Sequence, residues 1–529
     1  MPPSNRRPLR GWRFILLNAA AGLANVAVLS NVPGYTVLAP YAAANLQGVT
    51  PSFGTWATTD HMIGICLGFP IARWLAGRYG DYRVYSAALC IYAFFSFFCA
   101  VSPTIWTFVP MRIFLGLAGG VILPMGQAVL LGEYPPEMRT VGVGIWGVLS
   151  MMPFTIGVFM GGFWAEYTGW RTLFFSNVVI ALSVAGIAGS LFYGRQIKRY
   201  IVRFDSVGYI LLAVCLLGVQ TIFNQGNDFD WFASAFLSGT LAAVAVALPC
   251  FFIWELAERR PAIDVRLLGY RNYAVAVVCS VAGFLVIQGL LSVFIGQLQL
   301  LLGYSSSLAG IVYLAMTVLS FPLVSVIHEL CRKFDVRLIN SMNFLAFSMI
   351  MMWIGLFDKR DYFDQIVLPM LFFGFSLAAF FAPLAALSLQ GLPVARLTRA
   401  AEELTLLRTA AGAFGITLLG VVQFRRTPFH QLDLADHFGG RRFASLDLLS
   451  QFSEKLQGLG IPADKARSIM GGLIRQQASL LALNDAFLLG AAVFFVLAAF
   501  VWLAGPAVSP VERVEKLRRA EAEEMMEQG

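Results

Sequence analysis

AFLLGAAVFFVLAAFVWLA, residues 486–504, holds nineteen residues and no formal charge. At a rise of about 1.5 Å per residue this run spans roughly 28 Å as a helix, close to the ~30 Å of bilayer hydrocarbon. In lipid an unpaired backbone N–H or C=O costs several kcal/mol, so the segment must close its own hydrogen bonds, and a helix does this locally. A strand barrel would need apolar and polar residues to alternate over about ten positions. No such alternation is present here or in LCIYAFFSFFCAV, residues 89–101.

Working outward, apolar runs separated by charged or Pro/Gly breaks fall near residues 14–38, 54–76, 84–102, 105–131, 141–164 and 171–193. Two more lie near 207–223 and 232–254, and six near 272–300, 306–328, 338–357, 365–391, 404–424 and 485–505. The reading is an all-α polytopic membrane protein of about fourteen helices. Composition agrees: 58% hydrophobic residues, 13% charged residues and a mean hydropathy of +0.72 exclude an ordinary soluble chain.

A net charge of +8 would suit nucleic acid in a soluble protein, but here the basic residues stand between the apolar runs. They mark a solvated membrane face, and no nucleic-acid partner is expected. With the N-terminus in the cytoplasm, the inside segments collect Arg6, Arg7, Arg10, Arg13, Arg78, Arg83, Arg139, Arg195, Lys198, Arg199 and Arg203, and the later basic clusters follow suit. The short outside loops hold only Arg171, Lys359 and Arg360. Both termini are therefore expected in the cytoplasm. Six of seven cysteines sit inside apolar runs and Cys331 at a basic turn, which suggests no disulfide framework. The basic start precedes a long apolar run without a small-residue cleavage site, so it reads as a retained first helix.

The organisation expected is a six-helix bundle over 1–194, a basic connector (195–203) with two inserted helices over 195–260, a second six-helix bundle over 261–505, and a charged cytoplasmic tail over 506–529. One connection is long. Residues 425–484 are polar, carry both signs of charge, and show helical periodicity in FASLDLLSQFSEKL and KARSIMGGLIRQQASLLAL. Placed outside, this segment is either a solvated hairpin or a docking surface for a partner protein.

Several segments carry a resemblance in order and spacing: RFDSVGYILL and NDFDWFAS, then YRNYAVAV, LQLLLGYSSSLAGIVYL, LRTAAGAFG and QQASLLALNDAFLL. Over nearly its whole length the chain resembles the EmrB/QacA-type fourteen-helix drug:proton antiporters of the major facilitator superfamily. The resemblance implies two six-helix bundles related by pseudo-symmetry, two inserted helices and a central cavity of alternating access. It also implies export of small amphipathic organic molecules across a bacterial inner membrane. From members with a long outside loop it implies a periplasmic adaptor and an outer-membrane channel as partners.

The motifs match unevenly. MRIFLGLAGG places the family's membrane-buried arginine on Arg112, with Gly116 beside it. GVFMGGFW resembles the antiporter motif with Gly157, Gly161 and Gly162 present and Val158 in place of proline. ARWLAGRYGDYR matches at Arg78, Gly80 and Arg83, but Arg73 replaces a glycine and Gly77 an aspartate, leaving Asp81 as the carboxylate for the loop's charge relay. In NVPGYTVLAPYAAANL, Asn31 stands where the family carries a membrane-embedded aspartate, and an amide does not titrate near neutral pH.

Ionisable residues inside a bilayer cost at least about 2.5 kcal/mol and persist mainly where they face a cavity or a partner. Arg112 lies about seven residues, roughly 10 Å, from its helix end, and Asp60 and His61 lie at comparable depth. One reading makes Asp60 the replacement proton site, Arg112 its charge partner and His61 a relay. The other makes Asp60 an interfacial helix-start residue, His61 a satisfied polar group and Arg112 a packing element. Gly64 with Gly68, Gly116 with Gly120, and Gly157 with Gly161 fall four apart, a spacing that lets helix backbones approach closely.

Polar and aromatic residues within apolar runs, namely Asn25, Asn31, Tyr35, Gln127, Trp146, Gln288, Gln297, Phe380 and Phe381, are candidates to line a substrate cavity. Each one alone reads more readily as packing than as a contact. Arg408 resembles a family position and otherwise reads as a residue snorkelling to the interface. No charge ring or carbonyl filter suggests a channel. No metal-ligand or acid–base spacing suggests an enzyme, and neither metal nor cofactor is expected. Within transporters, a dedicated exporter of one endogenous metabolite, such as a siderophore, and a non-transporting relative remain as alternatives.

Overall fold

The computed structural model describes residues 9–506 except 51, 136–137, 194–202, 301, 358–362, 439–450, 452–453, 456–457 and 459–461. The first half comprises α1 (Trp12–Asn45), α2 (Phe53–Tyr79), α3 (Asp81–Val101), α4 (Ile105–Glu133), α5 (Arg139–Met151), α6 (Pro153–Tyr167) and α7 (Thr172–Leu191). Two helices follow, α8 (Ser206–Gln225) and α9 (Ala235–Ala257). The second half holds α10 (Arg271–Leu300), α11 (Ser306–Lys333), α12 (Val336–Ile354), α13 (Phe363–Leu389), α14 (Val394–Phe438) and α15 (Ala463–Phe500). No strand occurs among the described residues.

Among the described residues, thirteen helical spans are long and apolar enough to cross a membrane. Helix α2 is not one of them, because Thr58, Thr59, Asp60, His61 and Arg73 lower its hydropathy, yet its 27 residues pack inside the bundle. Counting it, the expected fourteen rods are present. The run expected as one helix over 141–164 is broken between α5 and α6, where Pro153 cannot continue the ladder of backbone hydrogen bonds. The two pieces still form a single crossing over Ile145–Tyr167.

The segment 425–484 differs from a loop in its described parts. Helix α14 runs on to Phe438 and α15 starts at Ala463, so both extend past the apolar runs that define their crossings. Arg426 on α14 holds Asp485 on α15 at 2.6 Å, and His430 reaches the same carboxylate at 2.7 Å. FASLDLLSQFSEKL lies almost wholly outside the described residues, as do the basic connector up to residue 202 and the tail beyond residue 506.

Helix pairing repeats between the halves. In the first, α2 packs on α4, α1 on α6 and α3 on α7; in the second, α11 packs on α13, α10 on α14 and α12 on α15. Across the middle, α6 meets α11 and α2 meets α14, while α8 and α9 pack on each other with α8 against α2 and α14. Glycines make these approaches possible. A Cβ on Gly64 would fall 2.3 Å from the Ile113 carbonyl oxygen, and one on Gly116 2.1 Å from that of His61.

Contacts also place residues 9 and 505 relative to the bundle. Leu9 donates its backbone N–H to Glu133 at the end of α4 (2.8 Å), and α4 runs parallel to α2, since Gly64 and Gly68 meet Gly116 and Gly120 in order. Arg73 near the end of α2 bonds Glu402 near the start of α14, Tyr273 at the start of α10 reaches the Ala400 carbonyl of α14, and Gly505 after α15 donates to Asn272. Residues 9 and 505 thus lie at one face, called here the terminal face. The opposite face is the distal face.

Candidate functional site

Helix α2 carries two chemistries on two sides. Positions 57, 61, 64 and 68, spaced by three or four, share a face, and the structure turns that face to α4. Thr59 and Asp60 are rotated from it by 100° steps and face α8.

On the α4 side, Arg112 is fully buried. Its Nε donates to the Ala57 carbonyl at 3.0 Å and one terminal nitrogen donates to Asn31 Oδ1 at 2.9 Å. Its guanidinium lies 4.4 Å from the Tyr35 ring centroid and 5.5 Å from that of Phe174. Asn31 in turn donates to the Tyr92 hydroxyl at 2.6 Å, and His61 Nδ1 donates to the Arg112 carbonyl at 3.1 Å. The cation is therefore held by an amide, a carbonyl and two π faces.

On the α8 side, Asp60 accepts from Asn224 Nδ2 at 3.2 Å. Asn224 Oδ1 accepts from Thr59 (3.1 Å), Gln220 Nε2 (3.0 Å) and Thr417 (3.0 Å), and Gln220 also donates to Thr417 at 2.7 Å. All five side chains are buried. Helices α2, α8 and α14 thereby share one polar cluster, which joins both halves through an inserted helix.

The expected pairing of Arg112 with Asp60 is not what the structure holds. Adjacent α2 positions diverge by 100°, so His61 belongs to the α4 interface and Asp60 to the α8 interface. Arg112 is taken up by Asn31 and Ala57, and Asp60 by Asn224.

The loop motif sits at the terminal face. A single residue, Gly80, joins α2 to α3 at φ 88°, a conformation that favours glycine. Asp81 opens α3, where a carboxylate meets the positive end of the helix dipole, and Arg83 is exposed two residues on. Arg78 lies over the rings of Trp74 and Tyr79. Arg73, which departs from the family pattern, pairs with Glu402 at 2.8 Å across the two halves.

The antiporter-type motif faces two neighbours. Gly161 and Gly157 meet α1, where a Cβ on Gly161 would fall 2.5 Å from the Gly34 carbonyl oxygen. Gly162 meets α11, with a virtual Cβ 2.2 Å from the Ser306 carbonyl oxygen. Near the distal face, Glu166 accepts from the Ser307 backbone and hydroxyl (2.9 and 2.7 Å), and Tyr41 bonds Ser306 at 2.8 Å.

A narrow cleft lies between the halves, lined from α1, α6, α10, α11 and α14 by residues including Thr36, Phe154, Val158, Gln288, Ser292 and Ile416. Of the cavity candidates, Gln288 lines it. Phe381 faces the same cleft through ring contacts to Phe154 and Phe284, whereas Phe380 turns into the second bundle against Phe344 and Phe347. Asn31 and Tyr35 serve Arg112, and Asn25 bonds Ser150 of α5 at 3.2 Å. Trp146 packs over Gly126, Gln297 is buried near the end of α10, and Gln127 is partly exposed on α4. Arg408 does not snorkel to a helix end: its guanidinium lies 4.5 Å from the Phe381 ring centroid and 5.7 Å from that of Phe284.

Sequence reasoning missed Gln220, Asn224, Thr417, Phe154, Phe284 and Glu402. The two amides stand four apart in an otherwise apolar helix, which was a usable signal. The others had none, because only the fold brings them to their partners.

Relatives agree with this architecture. The multidrug export protein EmrB of Escherichia coli (strain K12) is 27% identical over 503 residues, covering 95% of this chain and 97% of its own. The fatty acid resistance protein FarB of Neisseria gonorrhoeae is 28% identical over 94% of this chain and 97% of its own. Among solved structures, a bacterial homolog of the human lysosomal transporter Spinster, inward-facing and occupied, matches with TM-score 0.57 at 15% identity over 94% of this chain and 97% of its own. The POT family transporter PepTSo matches with TM-score 0.58 at 14% identity over 94% and 100%. These two structures share the fold. The sequence profile of the Major Facilitator Superfamily matches residues 20–416, and with that the chain, a multi-pass membrane transporter, belongs to this superfamily.

Proposed function

We infer that the protein exports small amphipathic organic molecules across a bacterial inner membrane in exchange for protons, with both termini cytoplasmic. The names of its relatives, multidrug export and fatty acid resistance, support the substrate range. The single observation that carries the coupling is the buried Asp60 carboxylate, bonded through Asn224 to Thr417. A proton arriving on Asp60 removes the charge that Asn224 Nδ2 solvates, and so changes a junction shared by α2, α8 and α14. Arg112, on the other side of α2 with His61 bonded to its carbonyl, sets the fixed charge of the first bundle. Residues 1–194 and 261–505 act as the two moving bodies, with 195–260 between them.

The terminal-face loop with Arg78, Gly80, Asp81 and Arg83, and the glycines at 116, 157, 161 and 162, serve as the sliding and latching contacts of alternating access. The extensions of α14 and α15 offer a surface for a periplasmic adaptor and, through it, an outer-membrane channel. Replacement of the family aspartate by Asn31 favours a second reading, a dedicated exporter of one endogenous metabolite. Efflux from proteoliposomes, with and without a pH gradient, across a dye panel and a metabolite panel separates the two. Gradient-driven efflux of several dyes supports the first, and efflux of one metabolite alone supports the second. No efflux of any compound contradicts both.

A further inference from the structure

Arg408 is a cation set deep in the second bundle, and the coupling scheme does not use it. Two helices give its depth. Cys66, whose thiol contacts the Leu406 carbonyl, stands thirteen residues before the end of α2, and Phe284 stands thirteen after the start of α10. Each count puts Arg408 about 20 Å from the terminal ends of these helices, deep in the membrane. Arg399, which does reach the terminal-face cluster through Glu403 and Pro261, lies nine residues earlier on α14.

The guanidinium has no hydrogen-bond or ion-pair partner among the described residues, and it is partly exposed to the cleft. What surrounds it is aromatic. Phe154, Phe284 and Phe381, from α6, α10 and α13, form a triangle of ring contacts with centroids 5.8 to 6.3 Å apart, and Arg408 sits over two of them. Ring faces attract a cation, but they do not replace a counter-anion in a medium of low dielectric.

The rest of the cleft offers none. The stretch that shares Phe154 with this triangle is lined by apolar groups with Thr36, Gln288, Ser292 and Tyr313, and by no charged residue. Asp60 points to α8, and Arg112 is bound by an amide. The charge presented to a molecule between the bundles is positive.

We propose that Arg408, set over Phe284 and Phe381 with Phe154 packed beside both rings, is a binding site for the anionic head of an amphipathic organic anion, whose apolar body lies along the cleft lined by Val32 and Ile416. The inference rests on the reading of this cleft as the transport cavity. It adds the charge of the cargo: carboxylates and related monoanions are taken, and their cationic counterparts are disfavoured. A planar carboxylate suits the guanidinium fork, and a flat apolar body suits the phenylalanine faces.

The test uses full-length protein in phosphatidylcholine nanodiscs, which contain no anionic headgroup, with binding to empty discs subtracted. Three probes of one shape are compared: 2-naphthoate, neutral 2-naphthamide and the cation 2-naphthyltrimethylammonium. The wild type is expected to bind naphthoate at least tenfold more tightly than either of the others. Arg408→Gln is expected to erase that preference while leaving naphthamide binding within twofold, and Arg408→Lys to retain part of it. Equal binding of the three probes, binding of none, or a naphthoate preference that survives Arg408→Gln overturns the proposal. The wild-type comparison decides even if a variant fails to fold. Dye efflux without anion preference sinks this inference and spares the transporter reading; anion preference without efflux of any compound does the reverse.

Discussion

One terminal nitrogen of Arg112 donates to Asn31 Oδ1 at 2.9 Å, so a fully buried cation of the first bundle rests on a neutral amide. The amide then passes the interaction to Tyr92 at 2.6 Å. Asn31→Leu removes the acceptor and leaves a charged donor unsatisfied in the interior, at a cost of about 1.5–3 kcal/mol. The thermal midpoint of the purified protein is expected to fall accordingly. Asn31→Asp, which restores an acceptor of opposite charge, is expected to keep or raise it.

The contact between α2 and α4 predicts an ordered set of glycine effects. A side chain at Gly64 or Gly116 meets backbone oxygen at 2.3 or 2.1 Å, and backbone cannot swing aside. Gly64→Val and Gly116→Val are expected to abolish recovery of monodisperse protein by size-exclusion chromatography. Gly186 and Gly189 on α7 face open space, and alanine at either is expected to be neutral.

Arg73 and Glu402 bridge the halves at 2.8 Å with side chains 37% and 26% exposed. A pair this open is worth at most about 1 kcal/mol, too little to decide folding but enough to shift a two-state equilibrium about fivefold. Arg73→Glu is expected to leave the thermal midpoint nearly unchanged and to alter the rate of terminal-face opening, read by labelling of a cysteine placed beside Glu402. The double exchange Arg73→Glu with Glu402→Arg is expected to restore the wild-type rate.

Asp335 caps α12, accepting from the Arg337 backbone at 2.9 Å and from its guanidinium at 2.7 Å. Partial burial pulls its pKa upward, but the bonds from Arg337 outweigh this and hold the carboxyl below its ordinary range. With a depressed folded-state pKa, its stabilisation is fully present above the ordinary aspartate value and is lost as pH falls through the lower folded value. Asp335→Asn is expected to flatten the acid limb of a stability-versus-pH curve. Asp335→Ala is expected to cost about 0.5–2 kcal/mol at neutral pH through loss of the cap.

Much of the fold was legible because lipid admits few alternatives: runs such as 486–504 must be helical, and their number follows from counting. The exceptions have local causes. Helix α2 is polar because it carries Thr59, Asp60 and His61, and α5 and α6 separate at Pro153. The described parts of the long polar segment continue α14 and α15 as helix, and Arg426 within it pairs with Asp485 just beyond it. Of the site, the depth of Arg112 and Asp60 was readable from position alone. Their partners were not. Asn224 is 164 residues from Asp60, and only the docking of α8 against α2 brings the amide to the carboxylate. Arg408 was misread for a related reason: distance from an apolar run's edge says nothing of a cleft lined from three other helices.

The measurement that bears most directly on the coupling scheme compares wild type with Asp60→Asn in proteoliposomes, for one substrate, by two assays in the same preparation. One follows substrate exchange with no pH gradient, and the other follows accumulation driven by an imposed gradient. A proton carried on Asp60 predicts that the variant keeps exchange and loses gradient-driven accumulation. Full accumulation by Asp60→Asn at the wild-type rate would contradict it.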